Sequence, residues 1–205
     1  MAESRNGRSR AEAKRASREA LIQAGMELMP ARGLDVSLDE LCQHAGYTRG
    51  AFYVHFDNRD DLILEVMTRV GERMMDTLLG DRDEARPADL FTVASRFLPA
   101  LFNGDYPLTR HGGMRPYQLL DACHRSERIQ ARYLKLAQQS IERLAQNIVE
   151  SQRKGAIRPE LDATQLSALI VAMVIGIHTM YDLEFPVDFQ AGLQTFLTLV
   201  TPQHA

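Results

Sequence analysis

Apolar residues recur along this chain at intervals of three and four, and no stretch alternates with period two, so the pattern predicts an all-α protein. A first helix is expected from near Ser9, where Ser9 and Glu12 have capping-box spacing; Leu21, Ala24, Gly25 and Leu28 face inward, and Pro30 and Gly33 end it. A second opens at Ser37 with Glu40 as capping partner and turns Leu38, Leu41, Cys42 and Ala45 inward. It stops at Gly46, which lacks a Cβ and can turn left-handed. Thr48 caps a short third helix to about His55, and Asn58 caps a fourth carrying Leu62, Ile63, Val66, Met67 and Val70. After a polar linker at 80–87, helices are expected near 88–103, 114–124, 126–154, 162–183 and 188–200, about nine in total.

The helix at 162–183 is apolar on nearly every face, and 188–200 carries a stripe of Leu193, Phe196, Leu197 and Val200. A helix apolar all round must be covered on all sides, and a symmetric second copy is the simplest cover. Residues 162–183 and 188–200 are therefore expected to form a four-helix homodimer seam. The longest nearly apolar stretch, 166–177, is too short to span a bilayer. No apolar segment near Met1 resembles a signal peptide, which places the chain in the cytoplasm with no membrane partner.

Composition changes this picture little. The chain has 205 residues, 45% hydrophobic and 25% charged, enough for a substantial core. Its two cysteines, Cys42 and Cys123, are far apart, so neither a disulfide framework nor a zinc site is indicated; Cys42 reads as a small buried hydrophobe. The pairs Asp121/His124 and His178/Asp182 have helical spacing but no further ligands, and no metal is expected. Net charge is −3, yet residues 1–18 carry six basic side chains against two acidic ones, a basic arm.

Two short helices joined by a glycine turn suit DNA reading, because one crosses the phosphate backbone while the other lies in the major groove. Leu41, Ala45, Tyr47 and Phe52 would fill the contact between them, with Cys42 allowing close approach. Arg49 can donate two hydrogen bonds to a guanine, and Gly50 and Ala51 allow close approach. The amino end of the second helix offers N–H groups to a phosphate, and Tyr53 and His55 can add positioning hydrogen bonds. Phe56 suits core packing between the third and fourth helices, His55 also suits a solvated surface, and the basic arm also suits a solubilising tail.

The string from Gly33 through Ser37, Gly46, Thr48–Arg49–Gly50–Ala51, Tyr53, His55, Phe56 and Arg59 to Leu62 closely resembles the amino-terminal domain of the TetR family, and the resemblance covers roughly residues 15–66. It implies an all-helical homodimer in two domains: residues 1–60, a three-helix DNA-binding domain with the basic arm 1–18, and residues 61–205, a larger helical effector-binding and dimerisation domain. It also implies a sequence-specific regulator, a repressor released from a near-palindromic operator by a small molecule. Carried over by position, Thr48, Arg49, Gly50 and Ala51 face base edges, Tyr53, His55 and Arg59 meet phosphates, and Ser37 caps the second helix near the backbone. The chain departs from the family at Cys42, where Ala is usual, at Arg59, where Lys is usual, and at Tyr47, where an apolar residue without a ring is usual.

Helices between 88 and 154 can enclose an effector pocket lined by Phe97, Leu101, Phe102, Tyr106, Met114, Tyr117 and Leu120, with Met173, His178 and Tyr181 from the next helix. Rich in Met and aromatic residues, this set leans toward an apolar or aromatic effector and needs no cofactor. An architectural DNA binder fits less well, because residues 61–205 are net acidic. An enzyme fits least, because no nucleophile–base set, phosphate loop or metal spacing is present.

Overall fold

The structure, a computed structural model, describes residues 3–80, 87–102, 116–186 and 188–202. Among them are nine helices and no strand: α1 (Glu3–Arg32), α2 (Leu38–Ala45), α3 (Arg49–Tyr53), α4 (Arg59–Leu79), α5 (Leu90–Phe102), α6 (Pro116–Arg125), α7 (Glu127–Arg153), α8 (Ala163–Asp182) and α9 (Phe189–Val200). The expected caps form. Ser37, Thr48, Asn58, Ser126 and Asp188 each accept a backbone N–H with the side chain, and Gly33, Gly46 and Gly155 take positive φ after α1, α2 and α7.

Two expectations for α1 fail. It begins at Glu3, because the residues before Ser9 hold no proline and continuing the helix adds ladder bonds that a cap at Ser9 would forgo. It also passes through Pro30 and ends at Arg32. Pro30 lies in the last turn, where one ladder hydrogen bond is lost, and Gly33 at φ 85° makes the stop, its N–H bonding the Met29 carbonyl at 2.8 Å. The inward stripe of α1 is wider than expected: Leu21, Ile22, Ala24 and Met29 are buried, whereas Leu28 is half-buried. Gly25 is where α1 meets α4; a Cβ there would sit 2.7 Å from Val66 Cγ2, inside contact distance.

Two apolar cores follow. In the first, Leu21, Ile22 and Met29 of α1, Leu41 and Cys42 of α2, Phe52 of α3 and Leu62, Ile63 and Val66 of α4 pack with Ala122 and Cys123 of α6 and Ile129 of α7. The second gathers Leu90 and Val93 of α5, Leu144 and Ile148 of α7, Ile157, Leu166 of α8 and Val200 of α9. The helix α4 serves both, because Leu79 at its end packs on the second core. The linker expected at 80–87 falls for the most part outside the described residues; Gly80 ends α4 at φ 92°.

Buried polar side chains fasten the bundle. Asn147, 1% exposed, donates its amide to the Leu79 and Ala88 carbonyls, at 3.1 and 2.7 Å, and so holds the end of α4 beside the start of α5. The Ser151 hydroxyl donates to the Asn147 carbonyl and accepts the Leu90 N–H at 2.7 Å. Each group answers a backbone group at a helix end that would otherwise be desolvated without a partner.

The apolar stretch judged too short to span a bilayer lies inside the twenty-residue α8. By length and composition, the window Ala163–Met180, of mean hydropathy 1.6, meets the requirement for a membrane span, and only 17% of it is buried within the chain. Thr164 and Gln165 on one side and His178 and Thr179 on the other bound the shorter apolar run 166–177 within it.

Asp89 ties α5 to α7. Its carboxylate accepts from Lys154 Nζ at 2.9 Å and from the Thr92 N–H at 2.9 Å, and the two together hold its pKa down at about 2. A carboxylate depressed in the folded state adds stability above its unfolded pKa, near 4, and loses it as pH falls toward 2. Asp89→Asn should therefore lower stability at pH 7 and make little difference at pH 2, as measured by denaturant unfolding at both pH values.

Candidate nucleic-acid interface and cavity

The turn between α2 and α3 is fastened at every step. Ser37 Oγ accepts the Glu40 N–H at 3.2 Å, and Glu40 Oε2 accepts the Ser37 N–H at 3.1 Å. The Ser37 N–H and the Ser37 hydroxyl, which also donates to Oε2 at 2.9 Å, together with Arg32 beside it, hold the Glu40 carboxyl below the usual range. Gly46 closes α2 at φ 75° and ψ 25°, a left-handed conformation that strains a residue with a Cβ, and the Tyr47 N–H then reaches the Cys42 carbonyl at 2.9 Å. Thr48 Oγ1 accepts the Ala51 N–H at 3.3 Å and starts α3. Phe52, fully buried, anchors that helix, its ring centroid 5.2 Å from that of Phe56, which is also buried.

With Phe52 inward, Thr48, Arg49 and Gly50 are exposed and Ala51 is half-exposed, forming one outer patch. Gly50 needs no special backbone, and a Cβ there would make only an ordinary 3.7 Å contact with Thr48 Oγ1. Tyr53 and Val54, each 58% exposed, extend the patch. Tyr47, expected in the contact between the two helices, is instead 37% exposed, whereas Leu41 and Phe52 are fully buried there. Arg49, the one Lys or Arg in 37–56, makes a side-on pair with Asp39 of α2: Nε bonds Oδ1, and Nη2 lies 2.6 Å from Oδ2.

The expected phosphate contacts sit differently. His55 is half-buried, its Nε2 2.7 Å from Ser17 Oγ. That hydroxyl gives its one hydrogen to the Lys14 carbonyl at 3.0 Å, so Nε2 carries the proton that Ser17 accepts. Burial pushes the His55 pKa down, and Lys14 and Arg18 push it further. Arg59 occupies the first turn of α4, its Nε and Nη2 buried without a hydrogen-bond acceptor among the described residues. The Ser37 N–H, one of the amides expected to be open to a phosphate, is taken by Glu40. The basic arm continues into α1, where Lys14 and Arg15 are exposed, whereas Arg18 pairs with Glu65 at 3.0 Å and lies over the Phe56 ring. Asp39 and Ser17 escaped the sequence reading, because their partners lie 10 and 38 residues away.

Between α4 and α8 lies a cavity of about 730 Å³ walled by Met67, Val70 and Met75 of α4, Val93 and Phe97 of α5, Leu119 and Leu120 of α6, Tyr133 and Leu136 of α7, and Val174 and His178 of α8. No Asp, Glu, Lys or Arg is among its described lining residues. His178 Nδ1 lies 2.8 Å from the Val174 carbonyl, which can only accept, so Nδ1 bears the proton; burial pushes the ring's pKa down and favours its neutral form. Of the residues proposed from sequence for an effector pocket, Phe97, Leu120, Met173 and His178 are among those lining the cavity, whereas Tyr117 is 58% exposed and outside the lining. The expectations at Leu101, Phe102, Tyr106, Met114 and Tyr181 lie outside the described residues or side chains. The wall from α4 and α7 went unread because those residues looked like plain core.

Comparison with known proteins completes the description. Residues 21–66 match the family model described as "Bacterial regulatory proteins, tetR family". The uncharacterized HTH-type transcriptional regulator YwcC of Bacillus subtilis (strain 168) is 42% identical over 52 residues, 25% of this chain and 23% of that protein, so the alignment spans under a quarter of the relative. Escherichia coli NemR in its reduced form superposes with a TM-score of 0.73 at 17% identity, covering 92% of this chain and 98% of NemR. SmeT, the repressor of the Stenotrophomonas maltophilia multidrug efflux pump SmeDEF, superposes in its complex with triclosan with a TM-score of 0.70 at 20% identity, covering 92% and 93%. These structural likenesses show a common fold from end to end, and the local match falls on the two helices and glycine turn described above. The chain thus carries the helix-turn-helix domain of the tetR family of bacterial regulatory proteins over residues 21–66, within an all-helical fold shared with NemR and SmeT.

Proposed function

We propose that the protein is a homodimeric, sequence-specific DNA-binding regulator, a repressor released from a near-palindromic operator by an uncharged apolar or aromatic effector, working in the cytoplasm and without catalytic activity. The observation that carries DNA reading is the outer face of α3. Gly50 has room for a side chain, and glycine inside a helix costs about 0.5–1 kcal/mol relative to alanine, so its bareness serves an approaching surface rather than the fold. Beside it Thr48 and Ala51 meet base edges and Arg49 reads a guanine. Ser37, Tyr53, His55 and Arg59 meet the phosphates. Residues 1–60 act as the reading head, and residues 61–205 as the effector-binding and dimerisation domain.

Dimerisation is supported by the bare face of α8 and α9. Leu169 and Leu199 are 62% and 64% exposed, and Met173 and Met180 are also exposed. A second copy set on 162–183 and 188–200 covers this apolar surface and places two reading heads about 34–36 Å apart, one turn of duplex.

The effector's chemistry is supported by a cavity wall without fixed charge, which disfavours an ion; triclosan, bound to SmeT, is a small molecule in a relative of the same fold. The cavity touches α4, α6 and α7, and the α6–α7 junction latches the reading head. Ser126 donates to Asp60 at 2.7 Å, Arg128 pairs with Asp61 at 2.6 Å, and Arg125 reaches Asp35 at 3.5 Å. An effector that binds better when these helices are displaced draws the heads out of operator spacing.

Selection of bound duplexes from a random pool should return a near-palindromic consensus; enrichment of nothing above background would overturn DNA reading. Gly50→Ala should leave the fold as stable or up to about 1 kcal/mol more stable in thermal unfolding, yet weaken operator binding in gel-shift titration. Sedimentation at micromolar concentration should show a dimer, and a stable monomer would remove the seam.

A further inference from the structure

We infer that Asp39 is a specificity-determining positioning residue, which holds Arg49 so that the free edge of its guanidinium meets one particular base in each half-site. The inference rests on the DNA-reading role proposed above.

Asp39 lies in the first turn of α2, but it is not needed to cap that helix, since Ser37 and Glu40 form the capping box. Its carboxylate crosses to α3 instead and takes Nε and Nη2 of Arg49 side-on. A guanidinium carries five N–H groups in one plane. The side-on pair uses one on Nε and one on Nη2, which leaves the opposite Nη1/Nη2 edge with a parallel pair of donors. That edge matches the O6 and N7 acceptors of guanine in the major groove.

The pair is not placed for stability. The side chains of Asp39 and Arg49 are 68% and 59% exposed, where an ion pair adds little to folding. Arg49 is the one Lys or Arg within residues 37–56, and Asp39 removes the rotamer freedom that would let it slide to a neighbouring phosphate. A carboxylate at the groove also penalises binding that lacks the correct base, because its charge faces phosphates whether or not the guanine is present.

The test is duplex selection with the full-length protein, followed by competition titrations of the selected duplex against versions changed one base at a time. The wild type should demand guanine at one position per half-site. Asp39→Ala and Asp39→Asn should lower that preference by about 5- to 100-fold, leave the other positions and the thermal unfolding midpoint unchanged, and bind random duplex as well as or better than the wild type. Adding Asp39→Ala to Arg49→Ala should change base preference no further. The inference is overturned if the Asp39 variants keep the wild-type preference and bind every duplex more tightly, for Asp39 would then only mask Arg49, or if they lose affinity equally on every duplex. A wild-type chain that selects no consensus removes the reading on which it rests.

Discussion

Burial of α4 is the constraint on which the rest of the molecule depends. Its amino half gives Leu62, Ile63 and Val66 to the core that sets α1, α2 and α3 in place, and its carboxy half walls the cavity with Met75 and Leu78. One helix therefore serves the core beneath the helix-turn-helix and the wall of the cavity at once. The close approach at Gly25 allows α1 to sit directly on it, and Gly71 does the same for α7, where a Cβ would come within 3.0 Å of Leu136.

Polar contacts divide into two kinds with different weight. Buried Asn147 and Ser151 satisfy backbone groups at the ends of α4 and α5, and loss of either side chain leaves desolvated backbone groups behind, at about 1–3 kcal/mol each. The exposed pairs across the α6–α7 junction, such as Arg125 with Asp35, are individually weak.

The helix-turn-helix was legible because its signals are local. Ser37 with Glu40, Gly46 and Thr48 act within three or four residues of themselves, and the structure uses all of them as capping and turn residues. The later caps at Asn58, Ser126 and Asp188 were legible for the same reason. Errors arose where a local signal competed with helix propagation, as at Ser9 and Pro30, or where an aromatic residue had two possible fates. Tyr47, read as inward, is 37% exposed, whereas Phe56 is buried as its reading between α3 and α4 had it.

By itself, then, the sequence determined the all-helical class, the boundaries of most helices, the turn at Gly46 and the outward set Thr48–Arg49–Gly50, because hydrophobic period, capping chemistry and glycine geometry are properties of short segments. Only the tertiary structure decided that Ser17 holds His55, that Asp39 holds Arg49 and that α4 walls the cavity. The same holds for α8, which carries an apolar face its own chain does not cover. Each of these joins residues on different helices, and the distance between two helices is set by what packs between them rather than by either segment's own pattern.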